Sequence, residues 1–419
     1  MTSAPRASRG GVRIVGFALA VALLAQTATQ VDAADDAAAA AARASLERIQ
    51  AVRKERPGDG LLVFYQALVH FSLQEREAAL ELFRSLKGRK LGLIPVRRMG
   101  FDAVWDDAEF QAIRKELIDD EPKTPTAPVT FRLADPKLIP EGIAYDQDGK
   151  RFFLGSAQRK VIVTDSKGKT RDFSRPEDKL DLVLGLSVDA KRGHLYAVST
   201  NGYIDEAKTE RRNAVFRYDV KSGRLLDRFV APEAMQLNDL AVASDGTLYV
   251  TDSMSGSLFR KKPDEGVLTR FGTAGALRGP NGIALGADGM LYVAVSTAIV
   301  RVDLGSGEPT RLPQPDSAVT GGIDGLYWHE GDLLGVQNVT TPGRVVRIHL
   351  ADKGTSIEGL TVLQSHHHPD FDEPTTGAIA DGALHVIGNS YVGRFQADGT
   401  IKDAESLKGT AVIAVPLKR

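Results

Sequence analysis

From residue 129 onward the chain repeats one pattern of apolar and polar positions. An apolar stretch is followed by a turn of the Asp-Gly type, then by a second, β-rich run. Asn281-Gly282-Ile283-Ala284-Leu285 leads through Asp288-Gly289 to Met290-Leu291-Tyr292-Val293, and Asn238-Asp239-Leu240-Ala241-Val242 leads through Asp245-Gly246 to Thr247-Leu248-Tyr249-Val250. The same phrase starts at Glu141, Leu184, Asp324 and Thr376. Three of the five gaps between these six starting residues are 43 residues, and the other two are 54 and 52. Alternation of period two, interrupted by Gly, Asp and Pro, excludes helices. A period of 40–50 residues with four short strands per unit predicts a β-propeller. Within the Asn281 unit the four strands are expected at Gly282–Leu285, Met290–Val295, Ala298–Asp303 and Pro309–Leu312. Six units predict six blades, with a leading strand near Val129–Ala134 completing the last blade and closing the ring.

The segment before it has a different period. Asp35–Val52 is Ala-rich and stops at Arg56-Pro57-Gly58, and Gly60–Leu73 and Glu75–Leu86 read as a helical hairpin. Ala67, Ala79 and Phe83 occupy the small-small-aromatic positions of one degenerate tetratricopeptide-like unit. Residues 35–119 are therefore expected to form a small α-helical region, either a cap on its neighbour or a surface for a protein partner. Residues 120–128, with Pro122, Pro125 and Pro128, read as a stiff linker. The expected order is thus a leader (1–33), the helical region (35–119), the linker (120–128) and an all-β six-bladed propeller (129–419).

At the N-terminus Arg6, Arg9 and Arg13 precede an apolar run from Ile14 to Ala25, and Val31-Asp32-Ala33 offers a small-x-small cleavage site. This is the secretory pattern, and the run is too short to span a bilayer. Cleavage after Ala33 would leave a chain with no membrane span, in the periplasm or secreted. Charge is balanced, with 53 basic and 54 acidic residues, and there is no basic stripe, so nothing argues for nucleic acid. With no cysteine, disulfides, thiolate metal ligands and thiol nucleophiles are excluded.

The six starting residues stand at the entrance of the innermost strand of each blade and so converge near the axis on one face. Four carry a hard oxygen: Glu141, Asn238, Asn281 and Asp324. Two carboxylates and two amides facing one another require a partner, and a divalent cation supplies one. An all-oxygen set favours Ca2+, with Mg2+, Mn2+ or Zn2+ as alternatives.

These motifs resemble the SMP-30/gluconolactonase family, with a more distant likeness to paraoxonases. Pro140-Glu141-Gly142, Asn238-Asp239-Leu240, Pro280-Asn281-Gly282 and Ile323-Asp324-Gly325 match that family's metal-site motifs in order. The resemblance implies a metal-dependent hydrolase of a lactone or small ester, with Asp324 as the catalytic residue. Two positions depart from it. Gln236 stands where the sugar-lactonase branch commonly has a substrate-contacting Arg, and Leu184 stands where paraoxonases have a His. The competing expectation is a non-catalytic propeller that holds an ion for rigidity and binds a protein or glycan.

Substrate choice is expected from loops on the metal face. Two are long: Thr200–Asn213, with Tyr203, Asp205 and Glu206, and Ser365–Glu373, with His366, His367 and His368. Arg159, Tyr203, Asp252, Asn338, His367 and Asn389 are the candidate substrate-lining residues. The His triplet reads first as a plain polar loop, then as a substrate-facing group, and last as a second metal site.

Overall fold

The computed structural model describes residues 31–165, 167–202, 210–396 and 398–418. Six four-stranded antiparallel sheets surround one axis. The first strand, β1 (Val129–Arg132), belongs not to blade 1 but to blade 6, which it completes. Blade 1 is β2 (Pro140–Asp146), β3 (Arg151–Ser156), β4 (Lys160–Thr164) and β5 (Thr170–Asp172). Blade 2 is β6 (Leu182–Asp189), β7 (His194–Thr200), β8 (Asn213–Asp219) and β9 (Leu225–Val230). Blade 3 is β10 (Leu237–Val242), β11 (Leu248–Asp252), β12 (Ser257–Lys261) and β13 (Thr269–Phe271). Blade 4 is β14 (Ile283–Leu285), β15 (Leu291–Val295), β16 (Ala298–Val302) and β17 (Pro309–Arg311), each strand within a residue or so of its expected span. Blade 5 is β18 (Ile323–His329), β19 (Asp332–Gln337), β20 (Arg344–Leu350) and β21 (Ile357–Gln364). Blade 6 is β22 (Gly377–Ala380), β23 (Ala383–Ile387) and β24 (Ala411–Pro416), completed on its outer edge by β1. The pairing β1–β24, with Arg132 opposite Ala411, joins the two ends of the propeller, as the sequence predicts.

The inner strands touch their neighbours around the axis, and what lets them do so is a column of small residues. Glycine follows the starting residue in five of the six blades: Gly142, Gly185, Gly282, Gly325 and Gly377. A Cβ at Gly142 would lie 1.8 Å from the Leu184 carbonyl oxygen of the next blade. One at Gly282 would lie 2.4 Å from the Asp324 carbonyl oxygen. Between the blades the apolar residues of facing sheets interdigitate, for example Val198, Val215 and Phe229 of blade 2 against Leu240, Val250 and Phe259 of blade 3. Such contacts bury both faces of every sheet, so no blade is stable alone.

Among the described residues the N-terminal part forms four α-helices: α1 (Val31–Glu55), α2 (Gly60–Ser72), α3 (Arg76–Arg84) and α4 (Ala108–Asp119). Asp59 caps α2 by accepting the Leu61 and Leu62 amides at 3.1 and 3.3 Å. Asp107 caps α4 through Glu109 and Phe110 at 2.9 and 3.0 Å. The core of this unit is aromatic: Phe64, Phe71, Phe83, Phe101 and Phe110 meet with centroids 5.4–6.3 Å apart, mostly edge to face. None of the described helices is long and apolar enough to cross a membrane. The expected leader falls largely on residues 1–30, outside the described residues.

The helical unit sits on the propeller. Val319, from the β17–β18 connection, is part of the helical core. Tyr65 Oη donates to the Ser296 carbonyl at 3.4 Å, and the Ile94 amide donates to the Thr340 carbonyl at 2.9 Å. Leu61 reaches Gly321 so closely that a Cβ there would lie 2.3 Å from Leu61 Cδ2. Ser296, Val319, Gly321 and Thr340 all lie on connections at the ends of blades 4 and 5 where Asn281 and Asp324 enter their strands. The helices therefore wall one side of the face that carries the candidate site.

Candidate metal and hydrolytic site

Four of the six starting residues are set by a break in the ladder of the inner strand. The register of β2 with β3 slips between Pro140 and Ile143, that of β6 with β7 between Val183 and Leu186, that of β10 with β11 between Leu237 and Leu240, and that of β18 with β19 between Ile323 and Leu326. Glu141, Leu184, Asn238 and Asp324 lie in these slips, where the strand bends and can re-aim a side chain. Asn281 is anchored just ahead of β14, its amide donating to the Ala294 carbonyl at 2.9 Å.

Hydrogen bonds and charge link these oxygen-bearing residues, directly or through one neighbour. Asn338 Nδ2 donates to Asp324 Oδ2 at 2.7 Å and to the Pro374 carbonyl at 2.7 Å. The Asn281 side chain also hydrogen-bonds Asp324. Asn238 Nδ2 donates to Ser253 Oγ at 2.8 Å, and that hydroxyl donates to the Pro280 carbonyl at 2.6 Å, tying the starting residues of blades 3 and 4 together. Thr375 and Thr376 both donate to the Glu141 carbonyl, closing the ring from blade 6 to blade 1. Leu184 carries no oxygen; it packs with Ile139, Ala157 and Leu182 under Val392, Phe395 and Ile401.

The electrostatics of this ring are unfavourable as it stands. Glu141 is buried and its Oε2 has no hydrogen-bond partner. Burial, then the charges of Asp324, Asp239 and Glu373, hold the Glu141 carboxyl well above the usual range. Asp324 is pushed up to about 7 by burial, against the lowering effect of the Asn338 and Asn281 donors. Asp239 is pushed up to about 7 as well, again mainly by burial, although it accepts the Leu240 amide at 2.8 Å and the Ile283 amide at 3.3 Å. Among the described residues no three His, Asp or Glu side chains form a metal cluster by themselves. Any cation at this spot therefore depends on the Asn amides. The donor set fits one: an orphaned buried carboxylate oxygen, a second carboxylate disfavoured as a charge, and amide oxygens beside them.

Below the ring the axis opens into a cavity of about 320 Å³ lined chiefly by Ile143, Leu186, Leu240, Ile283, Leu326 and Ile379. This apolar floor explains the burial of Asp239, which also lines it.

Asp239 and Glu373 were not among the residues expected from sequence. Asp239 could have been found, because it stands where the other five blades carry glycine. Glu373 ends the Ser365–Glu373 loop, and only the fold brings it to Glu141 and Asp324. A third omission is the connection between β23 and β24, residues 388–410. It carries Val392, Phe395 and Ile401 across the ring face onto Leu184.

The substrate-lining candidates divide. Asn338 is at the site, on Asp324. Arg159 lines a separate cleft on the side of blades 1 and 2. Asp252 is corrected: it is buried and accepts the amides of Met235, Gln236, Met254 and Ser255, so it organises a turn. Asn389 is corrected likewise, its Oδ1 accepting the Ala411 amide at 2.7 Å inside blade 6. His367 faces Ser365 Oγ at 3.0 Å and stacks on His366. His368 Nε2 donates to the Ala127 carbonyl at 2.9 Å, and Thr124 and Ser365 also hydrogen-bond, so this loop grips the proline-rich linker. Tyr203, with Asp205 and Glu206, lies outside the described residues.

No family model matches this chain, and no curated protein matches it. Solved structures similar to it include a gluconolactonase from Xanthomonas campestris, at 18% identity over 64% of this chain and 96% of that one, TM-score 0.44. A putative gluconolactonase is similar at 20% identity over 68% and 91%, TM-score 0.45. The PQQ-bound aldose sugar dehydrogenase from Streptomyces coelicolor is similar at 14% identity over 70% and 97%, TM-score 0.47. At such identities the similarity concerns the fold, and chemistry has to be argued from the residues.

Proposed function

We propose that the chain is an exported, divalent-cation-dependent hydrolase of a lactone or small ester, with Ca2+ as the expected ion. The observation that carries this reading is the ring at the channel mouth, where the buried, unpartnered Glu141 Oε2 and the raised Asp324 carboxyl face the amides of Asn238 and Asn281. Glu141, Asn238, Asn281 and Asp324 would hold the ion. When bound, such an ion polarises an ester carbonyl, stabilises the developing oxyanion and acidifies water.

The chain's own groups account for the remainder. Asp324 is the general base that takes the proton from the attacking water; the bound cation would keep its carboxyl ionised, and a metal-bound carboxylate is a weak base, so the acidified water carries the rest of the step. Asn338, donating to Asp324 Oδ2, fixes which way the carboxylate faces and leaves Oδ1 for the proton. No Ser-His-Asp set is required, and Gly-x-Ser-x-Gly does not occur in the sequence.

In this reading the helical unit is a wall of the site. Its apolar residues are spent on its own core and on Val319, which supports a cap more than a groove for a protein partner. The four SMP-30/gluconolactonase-like motifs support the same activity, while Gln236 argues against assuming an aldonolactone.

The test is metal content together with hydrolysis of a lactone and ester panel, on the chain from Ala34 onward, before and after chelation. A stoichiometric divalent ion with chelator-sensitive turnover, lost by about a hundredfold or more in Asp324→Asn with folding intact, is expected. A bound ion without turnover on any lactone or ester would leave the metal site but replace the hydrolase with a binding propeller. Failure to bind any ion in the presence of calcium would overturn both.

A further inference from the structure

A second cleft lies away from the ring. It has a volume of about 780 Å³ and lies on the same face, toward blades 1 and 2. Three connections build it. Asp135–Leu138 runs into β2, Gln158–Lys160 joins β3 to β4, and Asp172–Asp181 joins β5 to β6. The first and third of these lead directly to the starting residues Glu141 and Leu184.

Its lining is strongly biased in charge. Six basic side chains, Lys137, Arg159, Lys160, Arg175, Lys179 and Arg212, stand against three acidic ones, Asp135, Asp172 and Asp181. The chain as a whole carries a net charge of −1, so this excess is local. Two of the three acids are already paired with cations, and Asp135 holds a backbone amide. Asp181 receives both Arg212 Nε and Nη2, at 2.9 and 2.8 Å. Asp172 receives Lys160 Nζ at 2.8 Å, and Asp135 accepts the Lys137 amide at 2.9 Å. Lys137, Arg159, Arg175 and Lys179 are left with no carboxylate partner among the described residues. Arg159 and Lys179 also hold positive φ angles, 59° and 57°, in two connections that face each other across the cleft. Four cations gathered in one concavity repel one another, and an anion that enters relieves all of them at once. The size is that of a small-molecule site.

We propose that this cleft is an anion-binding site, taking a small molecule with two or more negative charges, a dicarboxylate or a phosphate ester. Arg159 and Arg175 supply fork-shaped donors for a carboxylate or phosphate, and Lys137 and Lys179 supply point charges. The proposal does not depend on the hydrolase reading, because it concerns binding and lies outside the ring.

The experiment is calorimetric titration of the full chain with galactarate, with glucose 6-phosphate and, as a neutral control, with galactose, each at low and at physiological salt. Binding of at least one of the two anions, weakened by salt and absent for galactose, is expected; which anion binds decides between a dicarboxylate and a phosphate ester. In Arg159→Gln/Lys179→Gln the affinity should fall tenfold or more at unchanged Tm. Should that variant lose Tm, Lys137→Gln at the opposite rim takes its place, with the same expected direction. Repeating the titration after chelation excludes a carboxylate held by a metal at the ring: affinity should persist. The proposal is overturned if neither anion binds, if galactose binds equally well, if chelation abolishes binding, or if the charge-neutral variants bind as the parent does. Loss or persistence of ester turnover bears on the ring alone, so the two readings fail separately.

Discussion

Arg344 and Glu121 form an ion pair at 3.1 Å with both side chains essentially removed from solvent, 2% and 0% exposed. Arg344 belongs to β20 of blade 5 and Glu121 to the linker. The same guanidinium donates to the Leu91 carbonyl at 2.9 Å and to Gln337 Oε1 at 2.7 Å, so one side chain joins the helical unit, the linker and the propeller. Removing Glu121 strands a buried cation. Glu121→Ala is expected to cost about 3–5 kcal/mol. Replacing both residues together, as in Glu121→Leu/Arg344→Met, should cost far less than the two single changes summed. Denaturant unfolding of the four proteins of this cycle checks it, and additive losses would show that the pair is not coupled.

Asn338 is expected to matter for rate as well as stability. Its amide donates to Asp324 Oδ2 and thereby lowers that carboxyl. Asn338→Ala removes the donor, so the Asp324 carboxyl moves further up. A base must be deprotonated to act, and the acid limb of kcat/KM should therefore shift to higher pH. A pH–rate profile on the best ester reads this directly. An unmoved limb with a uniformly lower rate would make Asn338 a packing residue only.

Stability without metal should depend on pH in an unusual direction. Asp324 and Asp239 are both held near 7 in the fold, against about 4 in an unfolded chain. The folded state thus binds more protons between these values. Its stability from these groups is complete below about pH 4 and is lost as pH rises through about 7. A divalent cation compensates the ionised pair. The fall in Tm on chelation should accordingly grow from pH 5 to pH 8, measured by calorimetry. An equal fall at both pH values would separate these carboxylates from the metal.

The glycine column makes a prediction about the ring's geometry. Gly282→Ala places a Cβ 2.4 Å from the Asp324 carbonyl oxygen and 2.5 Å from the Leu326 amide nitrogen, both backbone atoms that cannot swing away. A loss of at least about 1–3 kcal/mol is expected. Activity should fall too, because Asp324 itself must shift. Gly266→Ala, where nothing lies within 4 Å, is the control and should be close to neutral. Equal thermal shifts for the two variants would show that the blades can separate at this point.

The repeat of alternating segments was enough to determine six blades, their strands and the closing strand at Val129–Arg132, because strand period and turn chemistry are local properties of the sequence. The same regularity places Glu141, Asn238, Asn281 and Asp324 at equal positions in equal blades, which converge on the axis by symmetry. The helical hairpin was legible in the segments Gly60–Leu73 and Glu75–Leu86, against the helices Gly60–Ser72 and Arg76–Arg84, while the spacing of Ala67, Ala79 and Phe83 does not establish a tetratricopeptide-like unit. What the repeat could not carry was whatever breaks it. Glu373 and residues 388–410 reach the ring through irregular connections, and no period announces where such a loop folds. Asp252 and Asn389 looked like free polar groups on the ring face. Only the tertiary structure shows them consumed by backbone amides, since hydrogen-bond satisfaction is decided by neighbours distant in sequence. The docking of the helices over blades 4 and 5, the grip of His368 on the linker and the unpaired cations between blades 1 and 2 are of the same kind. Each arises from surfaces brought together only when the ring closes.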